Sequence, residues 1–200
     1  MGHSIQAISI IVKGLSNYFA VPLVGEIHEG FNFDCRDKRT LLNKMFDMLI
    51  SLKITEEFYF VADRYYCSGR FLKLLTRSGN HLITMMKRRA VAYYLPVNES
   101  KRKGRPKKYG VKIKLFDLFN ENLIFTEAYM PGNPKMKIEY HSINLLWRPY
   151  GALVKFILVR HPVKGKSICM TTDLSLEPLS VIWSYSVRFK IEVTYKQAVH

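Results

Sequence analysis

FYFVADRYYCSGRF, residues 58–71, carries the pattern from which the fold is read. Phe58–Ala62 is a short apolar run of the kind that forms a buried strand, and it stops at Asp63. Ser68–Arg77 reads as a helix closed by Gly79, and His81–Met86 as the next strand. A strand, a helix and a second strand in this order predict an α/β unit. Asp63 then sits at the carboxyl edge of the sheet, where open α/β folds gather their ligands. The same residue could instead open a turn or cap the following helix.

Upstream, Ser4–Val12 and Tyr18–Val24 read as two strands joined at Lys13-Gly14, both rich in Ile, Val, Phe and Tyr. Thr40–Leu52 places Leu41, Leu42, Met45, Phe46, Leu49 and Leu52 on one helical stripe. Downstream of Arg88 the texture changes. Residues 90–172 hold strand-like runs (Ala90–Leu95, Val111–Leu118, Leu123–Ala128, Met136–Tyr140, Leu153–Arg160, Ser167–Thr171) separated by Pro and Gly. From Ser175, a possible cap, with Pro178 in the first turn, one helix is expected to run to Ala198. The pattern is therefore an α/β core interrupted by a β-rich insertion.

The bulk composition bounds the function. Of 200 residues, 31 are Lys or Arg and 16 Asp or Glu, a net charge of +15, and 48% are apolar. Such a chain can build a packed core, and its charge favours a polyanionic partner, nucleic acid before an anionic membrane. Cys35, Cys67 and Cys169 are an odd number without metal-type spacing, as expected of reduced thiols. The apolar run at 152–159 is broken by Lys155 and is too short to span a bilayer, so a cytoplasmic location without membrane insertion is expected.

Four features could carry chemistry. Tyr185, Arg188, Glu192 and Lys196, in YSVRFKIEVTYKQ, fall at roughly 0°, 300°, 340° and 20° around an unbroken helix, one narrow stripe. Val187, Ile191, Tyr195 and Ala198 form a second, apolar stripe able to dock on a sheet. A carboxylate between cations suits a metal ligand beside a phosphate, although the same residues also make ordinary ion pairs on a solvated face. Asp63 and Glu192, brought to one sheet edge, could share Mg²⁺ or Mn²⁺. The segment KRKGRPKK, residues 101–108 of a basic loop spanning 98–110, resembles an AT-hook. There Arg105 would enter a minor groove, while Lys103, Lys107 and Lys108 would contact phosphates; a solvated basic loop is the alternative. Trp147, in NLLWRPYG, could stack on an unpaired base or belong to the core.

Asp63-Arg-Tyr-Tyr, followed far downstream by Tyr-x₂-Arg-x₃-Glu, resembles the DDE-type bacterial insertion-sequence transposases with the YREK signature. The GHSIQAISIIVKG, EIHEGF, RDKRTLL and GRPKKYG segments are similar to one branch of that family. The resemblance implies an RNase H-like mixed sheet with helices. Residues 1–89 would form the first part of the core, 90–172 the insertion and 173–200 the terminal catalytic helix. It implies DNA transposition, with two-metal, Mg²⁺-dependent nicking and strand transfer at transposon ends. Asp63 would match the second catalytic Asp and Glu192 the catalytic Glu. Tyr185, Arg188 and Lys196 would hold transposon-end DNA, and Trp147 lies where some relatives stack a flipped base. The implied partner is double-stranded DNA, and a homodimer on DNA is compatible with it.

Two departures accompany the resemblance. The family's Lys falls seven residues after the Glu, a position held here by Val199, so Lys196 is a displaced substitute. No Asp occurs before Ser4 to serve as the first catalytic Asp, and Asp34 and Asp37 follow the second strand. The expectation is that the first core strand is missing and Met1 is an internal start. Strands beside the missing one would then lose ladder partners, and catalysis by this chain alone would be weak. The competing expectation is a non-catalytic protein that binds DNA through its basic loop.

Overall fold

A computed structural model describes residues 4–15, 17–28, 39–97, 107–130 and 132–198, with side chains to residue 193. The chain is a mixed α/β protein of two compact units, Met1–Glu57 with Val187–His200, and Phe58–Ser186.

In the smaller unit, β1 (Ser4–Lys13) and β2 (Tyr18–His28) pair as an antiparallel hairpin with a register shift between Ile8 and Ser9. Gly14 N–H donates to Asn17 O at 2.7 Å and closes the turn. Helix α1 (Leu41–Ser51) is capped by Thr40, whose hydroxyl accepts from Asn43 N–H at 3.2 Å, and it buries Met45, Met48 and Leu49. Gln6 donates from Nε2 to Leu41 O at 3.0 Å, and its Oε1 lies 2.7 Å from His28 Nε2, so the buried amide ties hairpin to helix. Helix α4 (Phe189–Ala198) lies against β2.

The larger unit starts as the sequence predicts. β3 (Tyr59–Val61), α2 (Gly69–Arg77) and β4 (His81–Met85) form a β–α–β unit whose strands pair in parallel, Tyr59 with His81 and Val61 with Ile83. Ser68 caps α2 by accepting from Phe71 N–H at 3.2 Å, and Phe71, Leu72 and Leu75 are buried. The sheet continues through β10 (Gly165–Thr171), β9 (Ala152–His161), β8 (Asn133–Trp147), β5 (Val91–Tyr93) and β6 (Lys112–Lys114), with β7 (Thr126–Met130) also on β8. β9 shows why its sequence is nearly continuously apolar: Val154, Phe156, Ile157 and Leu158 are all fully buried, so both faces of the strand are covered. Helix α3 (Pro178–Val187) sets Val181 and Ile182 against Ile83, Ile157 and Cys169.

The structure differs from the sequence reading in three respects. Among the described residues the hairpin forms a two-stranded sheet of its own, whereas residues 1–89 were expected to form the first part of one core. The strands of 90–172 do not form a lobe with its own sheet. β10 hydrogen-bonds directly to β4, so they complete one eight-stranded sheet with β3 and β4. The terminal helix is two helices, α3 and α4, interrupted at Arg188. At the break Ile191 N–H donates to Arg188 O, a tightened turn, while the Ser186 hydroxyl donates to Trp183 O at 2.7 Å.

Candidate metal and nucleic-acid site

Asp63 stands two residues beyond β3, at the carboxyl end of the parallel pair, with extended backbone (φ −64°, ψ 159°). Its carbonyl accepts from Tyr66 N–H at 2.9 Å and starts the 3₁₀ turn Arg64–Tyr66, but its side chain makes no capping bond to that turn. The carboxylate is exposed. The position therefore fits a sheet-edge acid, and the side-chain cap that the sequence left open is not formed.

Glu192 lies in the first turn of α4 and is exposed. Arg188 Nη1 is 3.3 Å from Glu192 Oε1, an i, i+4 ion pair in which the Arg side chain is 15% exposed. The Arg188 guanidinium also sits 5.3 Å from the Phe189 ring centre. These two residues of the expected stripe are thus together. Tyr185 belongs to α3, where it packs beside the Val181 and Ile182 cluster, and the break at Arg188 interrupts the single stripe that was expected. Lys196 is in α4. Its side chain falls outside the described residues, as do Lys103 and Arg105. Lys107 and Lys108 are exposed, and Lys108 Nζ lies 5.7 Å from the Tyr109 ring centre.

Trp147 ends β8 and is 6% exposed, which favours the core reading of its ring over stacking on a base. As possible holders of a divalent cation, Asp63 and Glu192 are oxygen donors of the type Mg²⁺ accepts. Among the described residues no group of three or more His, Cys, Asp or Glu side chains forms a metal cluster. Asp63 belongs to the larger unit and Glu192 to the smaller.

Two arrangements escaped the sequence reading. Asp173, after β10, accepts from Tyr59 Oη at 2.6 Å and, through its other oxygen, from Ser175 Oγ at 2.6 Å and Ser175 N–H at 2.7 Å. Burial alone would raise its pKa, but these bonds from Ser175 and Tyr59, with the nearby His81, outweigh it and hold the carboxyl at about 2. The second is a basic cavity bordered by Arg64, Lys87, Arg89 and Arg148. Its cations come from short basic steps far apart in sequence, which no local pattern links.

Burial pushes the Cys67 thiol up to about 12, against a smaller lowering by Lys87, and burial alone does the same to Cys169. Neither is a ready nucleophile. No helix among the described residues is long and apolar enough to cross a membrane. Comparison with known proteins finds no matching family model and no matching curated sequence.

Proposed function

We propose that this chain acts in DNA transposition as part of an RNase H-like, DDE-type catalytic domain in the bacterial cytoplasm, on double-stranded transposon-end DNA. The observation that carries this reading is the exposed Asp63 at the carboxyl edge of a parallel β3–α2–β4 unit. Glu192 on a late helix, paired with Arg188, supports it. In this proposal Asp63 and Glu192 are the acidic oxygen donors for Mg²⁺ or Mn²⁺, which when bound would supply charge stabilisation for in-line phosphoryl transfer. Arg188 must then share the Glu192 carboxylate with the ion.

Calorimetric titration of the full chain with MnCl₂ tests ion binding by these acids. Asp63→Ala and Glu192→Ala should each weaken binding by about tenfold or more. A loss in only one variant, or in neither, would overturn the proposal. Mn²⁺-dependent nicking of supercoiled plasmid should vanish in either variant. A second reading, DNA binding without catalysis, is favoured by exposed Lys107 and Lys108 and the charge of +15. Under it Arg105→Ala weakens binding most on A·T-rich duplexes, while Glu192→Ala changes nothing.

A further inference from the structure

A cavity of about 440 Å³ in the larger unit brings four cations together. Arg64 comes from the turn after β3, Lys87 and Arg89 from the segment leaving β4, and Arg148 from the turn after β8. All four side chains are exposed, and among the described residues no carboxylate borders the cavity. Four like charges around one space repel one another, and a bound anion relieves that repulsion. Two or more Arg guanidinium forks are the donors suited to a phosphate's oxygens.

The remaining wall is of a different kind. Met85, Val91, Tyr93 and Pro149 present apolar surface to the same space, and the edge of buried Trp147 completes it. An inorganic anion would leave this surface wet. A ligand matching both halves carries a phosphate at one end and a flat apolar body at the other. The volume falls within the range of small-molecule sites.

The frame around the cavity is closely packed. A Cβ at Gly69 would lie 1.7 Å from Pro149 O, so only glycine lets the start of α2 meet the 148–150 turn. Tyr150 Oη bonds Thr76 Oγ1 at 3.2 Å, and Gly151, at φ +84°, turns the chain into β9. Arg148 is thus carried on a turn fixed at both ends.

We infer that this cavity binds a nucleotide unit, its phosphate held by Arg64, Lys87, Arg89 and Arg148 and its base laid on the Met85–Tyr93 wall. The unit can be a free mononucleotide or part of a single strand. An acidic peptide satisfies the cations but has no planar group for the wall. Neither Asp63 nor Glu192 borders the cavity, so this inference stands or falls apart from the metal reading.

Calorimetry on the full chain decides it, with dAMP, inorganic phosphate, deoxyadenosine, (dT)₈ and hexaglutamate as probes. Expected is binding of dAMP, (dT)₈ or both at least about tenfold tighter than phosphate, deoxyadenosine or hexaglutamate. Lys87→Ala and Arg148→Ala should each weaken it by about fivefold or more, while Lys166→Ala, equal in charge change but outside the cavity, should not. Binding by both dAMP and (dT)₈ marks a site open to free nucleotides, and by (dT)₈ alone a strand site. Equal affinity for phosphate or hexaglutamate, equal loss in Lys166→Ala, no loss in the two cavity variants, or no binding of either nucleotide probe overturns the inference.

Discussion

At Asp173 three donors surround one carboxylate that is 9% exposed, and the balance between burial and hydrogen bonding is settled by the donors. Its folded pKa of about 2 lies below the ordinary 3.8, so the ionised form is the one that folding favours. The stability it contributes, about 2 kcal/mol by linkage, is fully present above pH 4 and is lost as the pH falls toward 2. Tyr59 supplies one of the donors from β3. Tyr59→Phe should therefore lower unfolding stability in urea by roughly 1–2 kcal/mol at pH 7. The gap to the unaltered protein should close between pH 4 and 2, as the acceptor is protonated. A gap that does not change with pH would mean that the hydroxyl is not bound to an ionised Asp173.

Among the elements, the helix after Ser175 shows how periodicity can be right about residues and wrong about continuity. Spacing from Pro178 to Ala198 fits one helix, and no Pro or Gly interrupts it. Yet the Ser186 hydroxyl takes the Trp183 carbonyl, and the β-branched Val187 follows at the break. Ser186 is exposed, so Ser186→Ala should remove this competitor without loss of packing. Far-ultraviolet circular dichroism should show more helix, and stability should rise by about 0.5 kcal/mol; an unchanged spectrum would place the cause of the break elsewhere. The β–α–β unit was legible because Phe58–Ala62, the Ser68 cap and Gly79 are local signals. β8 was read at less than its length, since Lys135, Lys137 and Glu139 alternate in its exposed first half and hide its continuity with Leu145 and Leu146. Asp63 was legible because it ends a short apolar strand, and Glu192 because it falls in the Tyr-x₂-Arg-x₃-Glu spacing of a helical stripe. The basic cavity was not, because Arg64, Lys87, Arg89 and Arg148 meet only through the tertiary fold.

Across the whole molecule, burial is divided unevenly between the units. Phe156, Ile157, Leu158, Ile168 and Met170 are fully buried, and their strands β9 and β10 are each hydrogen-bonded to a neighbour on both sides. The hairpin pairs Ile5 with Ile27, Ile10 with Val21 and Val12 with Phe19, and all six side chains are between 42% and 69% exposed. Its buried positions, Gln6, Ile8, Ala20 and His28, are few, and half of them are polar. Two-stranded sheets have little independent stability, and local opening follows from few buried apolar contacts. Amides of β1 and β2 should therefore exchange with solvent at least about tenfold faster than those of β9 and β10, read by peptide-resolved hydrogen–deuterium exchange at pH 7. Faster exchange confined to the hairpin would show that the smaller unit opens on its own while the larger sheet, with Asp63 and the basic cavity, stays folded. Equal protection in the two would mean instead that the exposed Ile, Val and Phe side chains are covered in solution and that the units open together. Added dAMP should leave the hairpin's exchange unchanged, because every described residue bordering the cavity belongs to the other unit.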